Sequence, residues 1–295
     1  MNKRLKGACW MCLSAFSITL MSSTVKLMGT SIPTFEKIFF RNIIETIVIL
    51  ILIRGKDIKI LGNSNKGRFF MIIRSFTGLT DTILYFYSIN YLYLADSTLL
   101  NKLSPFFVTF FATLFLKEKF QRKQIPLLLL VLIGALLIIK PRMNVSILPA
   151  LAGFISAIFS GISYTLLRYL RHLENPESIV LWFACISIIG SFIPMILHGF
   201  IIPSHLQLLY LILTGIFATI CQLSLAYAYK NSKANEVSIY QYLSIVFSAI
   251  LGFFLWHEIP DISSSIGGLI ILLVAIFNYY LLSKPSNPPL ENEKK

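Results

Sequence analysis

The stretches ADSTLLNKLSPFFVTFFATLFLKEKF (95–120) and NEVSIYQYLSIVFSAILGFFLWHEIP (235–260) are related by a constant offset of 140 residues. This register sets identical residues opposite each other: Leu103 and Leu243, Ser104 and Ser244, Phe107 and Phe247, and Glu118 and Glu258. Further from this core, an offset of 142 pairs Ala15 with Ala157 and Lys26 with Arg168. The chain therefore contains an internal repeat of roughly half its length.

The composition places both copies of the repeat in a membrane. Of the 295 residues, 56% are hydrophobic and only 13% are charged, whereas a soluble globular chain is about a quarter charged. A helix of about twenty apolar residues spans the bilayer core. This rule predicts an all-α polytopic membrane protein with about ten transmembrane helices, at 5–28, 34–53, 68–91, 95–116, 122–140, 147–170, 177–198, 206–229, 235–256 and 261–283.

The distribution of basic residues predicts the topology. Counting both ends of the chain, six alternate connections hold nineteen Lys and Arg residues, whereas the five between them hold only Lys37, Lys140 and Arg142. Basic connections face the cytoplasm, so we expect both termini to be cytoplasmic and the protein to lie in the cytoplasmic (inner) membrane. Basic residues between apolar segments do not form one soluble face, so the net charge of +13 does not indicate a nucleic-acid partner.

The repeat predicts the domain organisation. Five spans are an odd number, so the repeats at 1–143 and 144–283 must be inverted relative to each other, as in many secondary transporters, whose substrate site lies near the midplane between the halves. We expect the tail, 284–295, to be disordered in the cytoplasm, because it is rich in proline and charge. Gly267 and Gly268 allow close helix packing, either within a monomer or between the subunits of a homodimer.

The chain resembles the drug/metabolite transporter superfamily and its EamA-type ten-helix members. The resemblance rests on EKIFFRN (36–42), ADSTLLNKLSPFF (95–107), FLKEK (115–119) and EVSIYQYLSIVFSAILGFFLWHEIP (236–260), and it covers roughly 1–283. It implies that helices one, three, four, six, eight and nine surround a central cavity, with helices five and ten outside. It also implies transport of amino acids, nucleotide-linked metabolites or other small solutes. The chain departs from symmetry at Phe183, which stands near the position equivalent to Arg41.

Asp81 lies near the centre of the predicted third span, where a charged side chain costs at least about 2.5–3.5 kcal/mol. Such a residue usually has a partner or a function. We interpret Asp81 as a counter-ion or proton carrier, which makes protons the candidate coupling ion. Lys102, on the next helix, is then either a contact for a substrate anion or the partner of Asp81 in the empty site.

Other polar side chains recur at helical spacing on the helices expected around the cavity, and they face away from lipid. The structural alternatives are tight packing for small and hydroxyl residues and snorkelling to headgroups for Arg74. Besides Asp81 and Lys102, the candidate substrate-binding or coupling residues are Asn101, Tyr85, Arg74, Tyr164, Gln222, Gln241, Tyr242 and Ser238.

Three further residues have candidate mechanical roles. Arg41 and Glu45 are four residues apart on the second span, so they can pair on one helix face, either as a structural or gating clamp or as part of a substrate site. Pro105 either merely kinks the fourth span or serves it as a hinge.

The leading functional hypothesis is a secondary transporter that moves a small polar or zwitterionic metabolite, amino-acid-like or nucleoside-linked, by alternating access. An intramembrane enzyme acting on lipid-linked substrates would need clustered carboxylates or histidines, but the four histidines are scattered at span ends. A channel or scaffold is the third hypothesis, although the sequence has no repeated filter or charged ring. We expect no catalytic residue, metal or cofactor, and a small-molecule solute and membrane lipid as partners.

Overall fold

The computed structural model describes residues 3–116, 124–139, 147–197, 199–232 and 237–283, and every regular element in these ranges is helical. The predicted boundary at 143/144 and the predicted tail, 284–295, lie outside them. The elements are α1 (Lys3–Met28), α2 (Thr34–Ile53), α3 (Asn65–Tyr91), α4 (Leu94–Asn101), α5 (Ser104–Leu116), α6 (Gln124–Ile139), α7 (Ile147–Leu170), α8 (Pro176–Leu197), α9 (His205–Asn231), a 3₁₀ helix (Ser238–Tyr242), α10 (Leu243–Trp256) and α11 (Ile262–Ser283).

These elements form ten spans, because two spans are each built from two pieces. The fourth span consists of α4 and α5, and it is interrupted at Lys102 and Leu103. The ninth consists of the 3₁₀ helix and α10, which meet between Tyr242 and Leu243. Under the offset of 140, Lys102 corresponds to Tyr242 and Leu103 to Leu243, so both spans change conformation at the same register. The predicted all-α, ten-helix fold class is confirmed.

Pro105 explains why the fourth span is fully interrupted. Proline has no N–H group, and its ring clashes with the carbonyl of the residue four positions earlier, here Asn101. The first turn of a new helix tolerates proline, and Pro105 is the second residue of α5. The equivalent residue of the ninth span is Ile245, where the chain passes from the 3₁₀ helix into α10 without a gap.

The membrane-spanning character is clear for most spans. Among the described residues, six helical stretches, including α4 and α5 taken together, are long and apolar enough to cross a bilayer. α2 has the length but carries four charged side chains, and each is at most 2% exposed: Glu36, Lys37, Arg41 and Glu45. Lys37 caps the end of α1 by donating to the carbonyl oxygens of Val25 and Gly29. The charges of α2 therefore point into the bundle.

The packing of the helices against each other has the symmetry of the two repeats. α1 packs along α9, α3 along α7 and α2 along α8, which are spans one and eight, three and six, and two and seven. If each span is replaced by its equivalent in the other half, the pair of spans one and eight becomes the pair six and three. The pair of spans two and seven becomes itself. α6 and α11 pack mainly on each other, and a Cβ added to Gly267 would lie 2.5 Å from the carbonyl oxygen of Gly134. Gly267 therefore allows close packing within the monomer.

Two carboxylates hold the α2–α8 pair at its opposite ends. Glu36, in the first turn of α2, accepts a hydrogen bond at 3.1 Å from the backbone N–H of Ile201, which follows α8. Glu174, just before α8, accepts one at 2.7 Å from the backbone N–H of Asn63, which follows α2. A carboxylate of each half thus binds a backbone N–H group in a connection of the other half. The two contacts hold α2 and α8 together at both ends.

Candidate functional site

Asp81 lies against the interruption of the fourth span. Its Oδ1 accepts a hydrogen bond at 3.1 Å from Nδ2 of Asn101, the last residue of α4. The same Nδ2 lies 3.1 Å from Oγ of Ser156 and 3.5 Å from Oγ of Ser160, both on α7. The end of α4 therefore joins the acidic group of α3 to the hydroxyl groups of α7.

Lys102 does not form the ion pair with Asp81 that the sequence suggested as one alternative. No salt bridge within 4.0 Å joins the two in the described part of the chain, and Asn101 occupies the place next to the carboxylate. Lys102 follows Asn101 directly, at the point where α4 ends. Lys102 is 3% exposed and lines a cavity together with Gln241.

Hydroxyl groups join four spans beside Asp81. The Tyr85 hydroxyl lies 3.1 Å from Oγ of Ser22 and 3.3 Å from Oγ1 of Thr98, and Thr98 lies 2.9 Å from Oγ of Ser248. These residues belong to α3, α1, α4 and α10 in that order. Because buried hydroxyl groups need partners, this chain of contacts holds the helices together on one side of the site.

Two guanidinium groups next to the site share one aromatic ring. The Cζ atoms of Arg74 and Arg41 lie 4.6 Å and 5.4 Å from the ring centroid of Phe183. Arg74 also donates to Oε1 of Gln222 at 2.8 Å, and Nη2 of Arg41 lies 3.5 Å from Oε2 of Glu45. Phe183, the departure from repeat symmetry, thus provides a π face for the arginine at the equivalent position of the first half.

These groups surround two adjoining cavities. The polar lining of the first consists of Arg41, Asp81, Thr82, Tyr85, Asn101, Tyr164, Cys221 and Gln222. The polar lining of the second includes Lys102, Gln241 and Ser14. Tyr164 and Cys221 line both. The two cavities therefore adjoin at these residues.

Most, but not all, of the predicted site residues line these cavities. Arg74 lies behind the first cavity on Phe183, and Tyr242 packs in an apolar cluster with Leu103 and Ile245. The side chain of Ser238 lies outside what the structure describes. Pro105 is in the first turn of α5, beside the break, and it lines neither cavity.

Phe183, Ser14 and Cys221 were not predicted as site residues. The mismatch between Phe183 and Arg41 in the repeat was the available signal for Phe183. Ser14 donates to the carbonyl oxygen of Cys221 at 3.0 Å, and no sequence pattern pointed to this contact. Among the described residues, no group of three or more His, Cys, Asp or Glu side chains is placed to hold a metal ion.

Comparison with known proteins identifies the family. The model of the EamA-like transporter family matches residues 5–140 and again residues 147–280. A pseudopaline exporter of Pseudomonas aeruginosa is 32% identical over 90% of this chain and 92% of its own length. An S-adenosylmethionine uptake transporter of Rickettsia prowazekii is 25% identical over 98% of this chain and 97% of its own length.

A solved structure supports the same fold. A protein crystal structure covers 95% of this chain and 99% of its own, with a TM-score of 0.70 at 17% identity. At this identity the likeness concerns the fold alone. The two matches to the family model and the similarity to the exporter, however, cover nearly the whole sequence. The chain is a multi-pass membrane protein of the EamA-like transporter family, within the drug/metabolite transporter superfamily.

Proposed function

We propose that this protein is a secondary transporter that carries a small zwitterionic metabolite through the two adjoining cavities by alternating access. The supporting observation is the buried polar cluster around the break between α4 and α5. There, Asp81, Asn101 and Lys102 lie between the two halves of the molecule and contact or line empty space. Interrupted helices at matching positions of inverted repeats are typical of midplane solute sites in transporters.

Both signs of charge are needed for a zwitterion, and both are present. Asp81 lines the first cavity and can receive an ammonium group. Arg41 lines the same cavity and can receive a carboxylate, for which a guanidinium group has a matching donor geometry. Tyr164 and Tyr85 add aromatic surface to the wall. The cavity thus has the complementary groups that an amino-acid-like solute requires.

The similar proteins support solute transport without fixing the solute. One is described as an exporter of pseudopaline and another as an uptake transporter of S-adenosylmethionine. S-adenosylmethionine has both an α-ammonium and an α-carboxylate group, which suits a cavity lined by Asp81 and Arg41. We infer that the solute leaves the protein chemically unchanged, because the polar groups of the cavity are arranged to bind it and no nucleophile–base pair emerges among them.

Topology and coupling belong to the same proposal. We infer that the repeats at 1–143 and 144–283 are inverted in the cytoplasmic membrane with both chain termini in the cytoplasm. We further infer that Asp81 carries a coupling proton, since it is the carboxylate that the solute's ammonium group meets. Arg41 and Glu45 then form an ion pair next to the solute that can act as a gate. The segment at Pro105 is the hinge.

Transport assays test the proposal. Purified protein reconstituted into liposomes should show saturable counterflow of a labelled zwitterion from a panel of amino acids and nucleoside-linked amino acids. Asp81→Asn should reduce the counterflow at least tenfold, whereas Lys56→Gln, in an exposed connection, should keep it. Failure of every solute on the panel contradicts the proposal. Chemical conversion of the solute would instead support an enzyme, and a flux that does not saturate would support a channel.

A further inference from the structure

We propose that the solute is an amino acid with a second carboxylate group and a net charge of −1. This inference rests on the proposed transport function and narrows its substrate class. Three observations support it: the charges around the two cavities, the hydrogen-bond donors of Arg41 and Arg74 that have no partner, and the position of Lys102 in the cavity next to that of Asp81.

The buried charges around the cavities do not balance. Lys37 is satisfied by two carbonyl oxygens and Oδ1 of Asn90, and Lys26 is paired with Glu258. Three further cations and two anions lie at or next to the cavities: the buried Arg41, Arg74, Lys102 and Glu45 and the partly buried Asp81. A buried charge is costly unless it is paired. A solute with one net negative charge makes the occupied site neutral.

The cations also have unused donors. The Nε atom of Arg41 and the Nε and Nη1 atoms of Arg74 are buried without a hydrogen-bond partner in the described structure. The ammonium of Lys102 faces the second cavity, where Oε1 of Gln241 is likewise buried without a partner. Buried polar groups are normally hydrogen-bonded. The unpartnered Nε of Arg41 and the buried charge of Lys102, which no carboxylate in the described structure approaches within 4.0 Å, therefore indicate that the ligand brings an anionic group to each.

The geometry orders the three charged groups of the ligand. Asn101 holds Asp81, and Lys102 is the next residue, so an ammonium subsite and a second anion subsite lie in adjoining cavities at one helix break. Arg41 lines the same cavity as Asp81. An α-ammonium group at Asp81 and an α-carboxylate at Arg41 leave the side-chain carboxylate to pass Tyr164 and Cys221 and reach Lys102.

A neutral or cationic ligand fits this arrangement less well. A simple zwitterion would leave Lys102 without an anion and the site with an unpaired positive charge. A ligand with a cationic side chain would place a second ammonium group near Lys102, where like charges repel. The acid and its amide have nearly the same size and shape, so the contrast between them depends on charge.

Calorimetric binding to the purified protein tests the inference with matched probes. The acidic probes are L-aspartate, L-glutamate and L-2-aminoadipate. L-asparagine and L-glutamine are the amides matched to the first two, and L-lysine is the cationic probe. We expect at least one acid to bind at least tenfold more tightly than its amide or than L-lysine. Lys102→Gln should reduce that preference about tenfold, and Lys56→Gln, which removes the same charge from an exposed connection, should preserve it.

The outcomes separate this inference from the proposed function. Tighter binding of the amides or of L-lysine overturns the inference that the solute has a second carboxylate group. It leaves the proposed transport of a zwitterion in place. An unchanged acid preference in Lys102→Gln overturns the role of Lys102. Absence of binding and counterflow with every zwitterion, acidic or not, contradicts both proposals. If Lys102→Gln does not fold, the acid and amide comparison on the unsubstituted protein still decides the substrate class.

Discussion

The ammonium group of Lys26 and the carboxylate of Glu258 form an ion pair between the end of α1 and the connection after α10. Lys26 also donates to the carbonyl oxygen of Leu92 at 2.7 Å, and the other oxygen of Glu258 accepts from the backbone N–H of Leu94 at 2.8 Å. One ion pair thus ties together the ends of spans one, three, four and nine. In the repeat, the equivalent residues by sequence are Arg168 and Glu118.

We predict that Glu258→Gln destabilises the protein more than Lys26→Met. Glu258 holds both the ammonium group and the first turn of α4, whereas the loss of Lys26 leaves the contact with Leu94 in place. Both side chains of the pair are about one-tenth exposed, so the coupling should be larger than the 0.2–1 kcal/mol typical of a surface pair. Thermal unfolding of both single variants and the double variant in detergent measures it. Additive effects of the two substitutions would contradict the coupling.

We predict that Asp81→Asn keeps the fold but loses proton coupling. Asparagine retains the shape and can still bond to Asn101, and the substitution removes a charge from the bundle, so the melting temperature should stay the same or rise. Counterflow should fall at least tenfold, because the ammonium subsite has lost its anion. Any remaining uptake should no longer respond to an imposed pH gradient. Residual uptake that still follows the gradient would assign coupling to another group.

We predict that Phe183→Leu destabilises the protein, whereas Phe183→Tyr preserves most of the stability. Leucine removes the π face that Arg41 and Arg74 share, and a desolvated cation–π contact is worth about 2 kcal/mol. Thermal unfolding of the two variants compares them directly. Solute binding should also weaken in Phe183→Leu, since Arg41 loses its support next to the cavity. Equal melting temperatures for the two variants would show that apolar packing alone accounts for Phe183.

We predict that Gly267→Val disrupts the packing of α11 on α6. Any Cβ at this position approaches a backbone oxygen of α6 at 2.5 Å, so the helices must separate. The melting temperature should fall and the expressed protein should become less monodisperse in detergent. Leu136→Val, on the exposed face of α6, is the matched control and should change neither. Normal behaviour of Gly267→Val would mean that α6 and α11 separate without cost.

The sequence predicted the number of spans, their bounds to within a few residues and the repeat that relates them. Apolar length, alternating basic connections and the constant offset are properties of the linear chain. Within a membrane, the backbone of an apolar segment must satisfy its own hydrogen bonds, which leaves few structures that it can form. The same logic indicated Asp81, because a carboxylate in the middle of an apolar span is costly wherever the neighbouring helices lie.

The tertiary structure decided which polar groups meet. It placed Asn101 beside Asp81, turned Lys102 to a second cavity, and put Phe183 between Arg41 and Arg74. Helical spacing gives the face on which each residue lies, but the rotation of one helix against another depends on packing across the whole bundle. Contacts between residues far apart in sequence are set by that rotation, so the pattern along any one span could not predict them.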